Sequence, residues 1–257
     1  MLRRGTNLRI ATALLLLSVV VLSRAAAANE EVCDVPADLA LGVEDYSTAV
    51  MLHRKFLSSH PNDALAHYHL GFAYGMVGRA GEEISEYLAA INLGLHKWDL
   101  FLNLGLAYLE QHELANATAA LQTATMLGPE HAETHFNLAN VYEREHRLGD
   151  ALREIRVSRH LAPEDRDVAN VNAIICAETG DLVCAQDLWT HLTQVAPDYA
   201  PARTNLVILR RWLTRIGQTS QYPKLEYSQQ GITVSRGAGN PLFNGQVARI
   251  GVELRRP

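Results

Sequence analysis

His131, Glu133 and His135 are the residues whose types and spacing come nearest to metal chemistry. Two histidines four apart share one face of a helix, and a pair of imidazoles beside a carboxylate is a common beginning of a zinc site. The zinc-peptidase pattern, however, places its glutamate directly after the first histidine, and this chain does not. The other soft ligands are three cysteines, Cys33, Cys176 and Cys184. In an oxidising compartment a Cys176–Cys184 bridge is conceivable, which leaves Cys33 over; the alternative is that both are small apolar residues packed in a helical hairpin. They lie too far apart for a redox pair. There is no Gly-rich phosphate loop and no nucleophile elbow. The carboxylates show no distinguished pair. The motifs therefore indicate no catalytic residue and no cofactor.

The elements that must position these residues follow a period. Pro129, Pro163 and Pro197 are spaced by 34 residues, Pro61 lies two periods earlier, and the missing member falls at Leu95. Gly71, Gly105, Ala139 and Ala173 form a second series at the same spacing, and Tyr74, Tyr108, Tyr142 and Cys176 a third. Small residues at a fixed place let a partner helix approach closely. Leu and Tyr at intervals of three and four build an apolar stripe on one face. Gly78, Gly149 and Gly180 are expected in the turns between helices, where a left-handed backbone suits glycine.

In period and signature the chain resembles the tetratricopeptide-repeat (TPR) family. His67, Leu70, Gly71 and Tyr74 occupy the first-helix positions of one repeat. Phe101, Leu104, Gly105 and Tyr108 do so in the next, followed by His135, Leu138, Ala139 and Tyr142. In the second helices, Ala117 and Leu121, Ala151 and Ile155, and Ala185 and Trp189 fit the family's small-then-bulky pair, whereas Glu83 before Tyr87 departs from it. Four full repeats are assigned, 64–97, 98–131, 132–165 and 166–199, the last degenerate at Asn172 and Cys176. A half-repeat at about Val43 to Ser58 precedes them. A helix from Pro201 to about Arg215, with Leu206, Leu209 and Leu213 on its apolar side, follows as a cap. The resemblance implies an all-α, right-handed solenoid of helical hairpins. It also makes His135, and His67 in the same slot, core histidines rather than metal ligands.

The flanks differ. Residues 1–28 read as a signal peptide: Arg3, Arg4 and Arg9 precede an uncharged run from Ile10 to Leu22, and Ala25 to Ala28 offer a cleavage site. The run has 13 residues, short of the roughly 20 a membrane-spanning helix needs. The solenoid is expected over 29–217 in an exported chain, periplasmic or secreted, with no integral membrane segment after cleavage. Those 28 residues hold four arginines and no acid, so the rest carries 19 basic against 28 acidic side chains, a net of −9. Such a surface disfavours nucleic acid. Residues 218–257 are rich in glycine and locally basic. Ile232 and Val234, then Ile250, Val252 and Leu254, alternate as strands do, with Asn244-Gly245 as a turn. A β-hairpin and a disordered basic tail are the two readings.

The resemblance also implies where a partner binds. The first helices of TPR hairpins line a concave groove, and family phase places Tyr68, Phe72, Leu102, Asn103, Leu106, Phe136, Asn137, Asn140 and Asn170 there. The apolar members suit anchors, and the asparagines can hydrogen-bond a peptide backbone. Tyr68, Leu102, Phe136 and Asn170 stand where chaperone-tail binders carry the key lysine, so a carboxylate clamp is not expected. The expected function is a scaffold that binds a protein or peptide and is not an enzyme. The rivals are a structural protein that self-associates through its tail and a metal-dependent enzyme with its site between array and tail.

Overall fold

The computed structural model describes residues 32–218 together with the strand segments 226–228 and 231–233. Among the described residues eleven helices follow one another: α1 (Val35–Gly42), α2 (Tyr46–Ser59), α3 (Ala64–Met76), α4 (Ala80–Asn92), α5 (Trp98–Glu110), α6 (Leu114–Leu127), α7 (Ala132–Arg144), α8 (Leu148–Leu161), α9 (Arg166–Glu178), α10 (Leu182–Val195) and α11 (Ala200–Gln218). The 34-residue period is kept to the residue. First helices begin at 64, 98, 132, 166 and 200, and second helices at 80, 114, 148 and 182, with α2 in phase at 46. Asp63 and Asp165 cap α3 and α9, and Asp181 caps α10, each carboxylate accepting backbone N–H groups of the first turn.

The turn within each hairpin is the same device. Glu44, Gly78, His112, His146 and Gly180, again spaced by 34, all have positive φ. The next amide then bonds back to the carbonyl five residues earlier: Asp45 to Ala40, Arg79 to Tyr74, Glu113 to Tyr108, Arg147 to Tyr142 and Asp181 to Cys176, at 2.8–2.9 Å. This is a Schellman closure, which satisfies carbonyls that the helix end would otherwise orphan. Two expectations are corrected here. Gly149 is not in the turn but in the first turn of α8, and His146 holds the left-handed position. The half-repeat before Pro61 is instead a complete short hairpin, because α1 packs on α2 through the same closure.

The chain divides into two compact units at Leu95 and His96, where the proline series lacks its member. In the first unit, α1 to α4, Ala40, Ala49, Val50, Leu70, Ala73 and Tyr74 form the core. The small residues act as expected. A Cβ on Gly71 would lie 2.7 Å from the ring of Tyr87, so only glycine lets α3 and α4 approach this closely. In the second unit, α5 to α11, one apolar cluster gathers Leu102, Leu106, Leu121, Phe136, Leu138 and Ile155 with their neighbours. A second surrounds Trp189 and includes Leu206 and Leu209 of α11, with Leu213 packed against it, which is the capping role expected of that helix. Pro201 sits in the first turn of α11, where a missing amide is harmless.

Beyond α11, β1 (Glu226–Ser228) and β2 (Gly231–Thr233) pair antiparallel, with Tyr227 opposite Ile232. Ile232 is thus in a strand, paired with the segment 226–228. The segment 250–254, the turn at Asn244-Gly245 and the signal segment 1–28 lie outside the described residues. Among the described residues no helix is long and apolar enough to cross a membrane.

Candidate functional site

The groove positions lie on first helices. In the first unit Tyr68 and Phe72 project from α3. Tyr68 is buried, with its ring 5.9 Å from that of Tyr87. Phe72 is partly exposed and meets Tyr46 edge-on at 6.4 Å. In the second unit Leu102, Asn103 and Leu106 lie on α5, Phe136, Asn137 and Asn140 on α7, and Asn170 on α9. All seven are buried. Leu102, Leu106 and Phe136 share one apolar cluster. Asn137 donates through Nδ2 to the carbonyl of Glu133 at 2.9 Å. Asn170 serves the core: its Oδ1 accepts from Trp189 Nε1 at 2.9 Å and from Asn205 Nδ2 at 3.3 Å. The side-chain acceptor of Asn170 is therefore engaged within the hairpin stack.

His131, Glu133 and His135 do not converge on one point. His131 stacks on Trp98 with centroids 3.6 Å apart and pairs with Glu130 and Glu133. His135 is held at both nitrogens, Nδ1 2.7 Å from Glu154 and Nε2 3.1 Å from the carbonyl of Pro129. His67, two periods earlier, repeats the arrangement with Glu86 at 2.5 Å and the carbonyl of Pro61 at 3.1 Å. These histidines tie each hairpin to the proline connection before it. Burial would push the His135 pKa down, but the Glu154 hydrogen bond, the Pro129 carbonyl and the Glu154 charge outweigh it and raise the value. Cys176 on α9 and Cys184 on α10 are joined in a disulfide, with Cα atoms 6.0 Å apart.

A different set of ligand-bearing residues does come together, in the first unit. Cys33 before α1, Asp38 on α1, His53 on α2 and His69 on α3 bring their donor atoms within 4.8 Å of one another. Cys33 Sγ lies 3.5 Å from Asp38 Oδ1, 3.7 Å from His53 Nδ1 and 3.5 Å from His69 Nδ1. His69 Nδ1 is 2.6 Å from Asp38 Oδ1, and His53 Nε2 is 3.6 Å from the same oxygen. Burial, followed by the charge of His69, drives the fully buried His53 down to about 4, so its ring is neutral at ordinary pH. Burial and then the charge of Asp38 push the Cys33 thiol up. For Asp38 burial acts upward, and the bond and charge of His69 with the Cys33 contact outweigh it, leaving the carboxyl below its usual range. Sequence reasoning missed this group. Its members span residues 33 to 69 with no short spacing, and the only trace was a cysteine without a partner.

No family model and no curated protein matches the chain. Solved structures do match. YrrB, described as a TPR protein with an unusual peptide-binding site, is similar at 20% identity and a TM-score of 0.61 over 75% of this chain and 97% of its own. MamA is similar at 20% identity and a TM-score of 0.61, over 66% of this chain and 98% of its own. Pseudomonas aeruginosa pilF is similar at 22% identity and 0.59, over 69% and 81%. Hairpins of fixed length, closed by one repeated turn and packed through small residues, define a helical repeat protein. The fold is the tetratricopeptide-repeat fold.

Proposed function

We propose that this chain is an exported scaffold that binds a peptide or helix of another protein along the first helices of its hairpins. The observation that carries the reading is the repeated chemistry of that helix face. In the sequence, apolar residues at Tyr68, Phe72, Leu102, Leu106 and Phe136 recur in the same repeat phase as Asn103, Asn137 and Asn140, a pattern suited to a peptide's side chains and backbone, although of these eight only Phe72 is partly exposed and the rest are buried. Phe72, an aromatic left partly exposed on this face, is the natural first contact. Export is supported by the arginine-led apolar segment at the start of the chain and by the Cys176–Cys184 bridge, a linkage at home in oxidising compartments. The described peptide-binding site of YrrB adds precedent for the fold.

Site-specific photo-crosslinking of the full chain in its native host tests this. The reactive group is placed at Phe72 and, separately, at Asn140, with Met126, which is 80% exposed on a second helix, as the control. A discrete adduct with another protein from Phe72 or Asn140 and not from Met126 is expected. Adducts only with residues 218–257 of the same chain, or with a second copy, would replace the scaffold reading by an occupied groove or by self-association.

A further inference from the structure

We infer that Cys33, Asp38, His53 and His69 form a structural zinc site that clips the start of the chain onto the first helical hairpins. A tetrahedral zinc with bonds of about 2.3 Å to sulfur and about 2.0–2.2 Å to nitrogen and oxygen holds its ligand atoms roughly 3.3–3.6 Å apart. Cys33 Sγ already stands 3.5 Å from Asp38 Oδ1 and 3.5 Å from His69 Nδ1; His53, which can give an ion only one nitrogen, has its Nε2 3.6 Å from Asp38 Oδ1, and one ligand atom from each of the four residues lies within 4.8 Å of the others. The exception is the 2.6 Å contact of His69 with Asp38, a direct hydrogen bond that an ion would replace by parting the two by less than about 1 Å.

Three further observations point to a cation. Asp38 is oriented by its surroundings: Oδ2 accepts the backbone N–H of Cys33 at 2.9 Å and of Asp34 at 3.2 Å, which leaves Oδ1 directed at the other three side chains. Metal-ligating carboxylates are commonly fixed in this way by outer hydrogen bonds. His53 is completely buried, and its Nε2 has no hydrogen-bond partner, an arrangement that costs free energy unless a ligand occupies it. The charges also match, because a thiolate, a carboxylate and two neutral imidazoles neutralise a divalent ion. Mixed sulfur, nitrogen and oxygen donors in fourfold coordination suit zinc, and four protein ligands leave no open position for catalysis.

The site also answers a structural need. Helix α1 has eight residues, below the length at which a helix holds itself in water. It buries only Ala37 and Ala40, while Val35, Leu39 and Val43 stay 65–69% exposed. Two alanines and the partly buried Leu41 are a slight anchor. Ligands from the segment before α1, from α1 itself, from α2 and from α3 would hold it through the metal instead.

The test uses the full chain purified without a histidine tag, equilibrated with zinc and then desalted. Elemental analysis is expected to find about one zinc per chain, with affinity falling at least about tenfold in Cys33→Ser and in Asp38→Asn while His131→Gln leaves it unchanged. Cobalt added to the unsubstituted protein is expected to give a thiolate-to-metal charge-transfer band and the visible absorption of a tetrahedral ion, a readout that does not depend on whether the variants fold. Absence of bound zinc, a cobalt spectrum without the thiolate band, retention of the metal by Cys33→Ser, or stoichiometric binding of copper alone would each overturn the assignment.

Discussion

Glu83 of α4 occupies the space that Gly75 of α3 leaves open. A Cβ built on Gly75 would lie 2.5 Å from the carboxylate of Glu83, and Glu83 is completely buried. In the later repeats the position of Glu83 is filled by Ala117, Ala151 and Ala185, and that of Gly75 by Leu109, Glu143 and Ala177. The departure visible at Glu83 in the sequence is thus one half of an exchange, in which a large residue and a vanished side chain have traded places across the hairpin.

Such a pair should be coupled. Gly75→Ala is expected to destabilise the first unit by about 1–3 kcal/mol through overpacking against Glu83. The double variant Gly75→Ala, Glu83→Ala, which restores the small residue found in the other repeats, is expected to recover most of that loss. Denaturant unfolding of both single variants and the double variant gives the coupling, which should be at least about 0.5 kcal/mol for residues in contact. Additive effects would mean that the two sites do not compete for the same space.

The repeated left-handed turn makes a second expectation. His112 and His146 adopt φ of 61° and 57°, where the homologous turns use Gly78 and Gly180. A left-handed conformation costs a residue with a Cβ about 1–2 kcal/mol, against about 0.5–1 kcal/mol for the extra freedom glycine loses on folding. His112→Gly and His146→Gly should therefore each stabilise the second unit by roughly 0.5–1 kcal/mol, read from unfolding midpoints. Gly149→Ala, inside α8 with open space around its Cβ position, should also stabilise, but through helix propensity. A loss of stability in either histidine variant would show that these side chains contribute contacts outweighing the backbone strain.

The His135–Glu154 pair supplies a pH dependence. Folding raises the His135 pKa above its ordinary value, because the protonated ring donates to both Glu154 and the carbonyl of Pro129. A raised value means that the folded state binds the proton more tightly, so the contribution is complete below the unfolded pKa of about 6.5 and fades as pH rises through the folded value. Glu154→Gln should accordingly lose more stability relative to the unsubstituted protein near pH 5.5 than near pH 8.5. Denaturant titrations at the two pH values check it; an equal loss at both would mean that the ring is bonded in its neutral form.

Much of the fold was legible in the residues because a repeat writes local geometry many times over. The prolines, Gly71 and Gly105, and the tyrosine series are each dictated by a turn, a close helix approach or an apolar stripe, all within one hairpin. Helices therefore begin every 34 residues where the period places them. Helix α1 escaped notice because it is short, buries only two alanines and belongs to no full period. The left-handed His146 was hidden behind Gly149, since glycine advertises a conformation that the backbone had placed three residues earlier.

The sequence by itself determined the hairpin architecture and the 34-residue spacing of its helices, because each depends on neighbours a few residues away or on the homologous place in the next hairpin. Only the tertiary structure decided that Cys33, Asp38, His53 and His69 meet, and that Glu83 fits against Gly75. The ligand group assembles from three helices and the segment before them, each turned to a particular angle by packing. No spacing along the chain encodes that meeting, since it arises from how α1, α2 and α3 lie against one another.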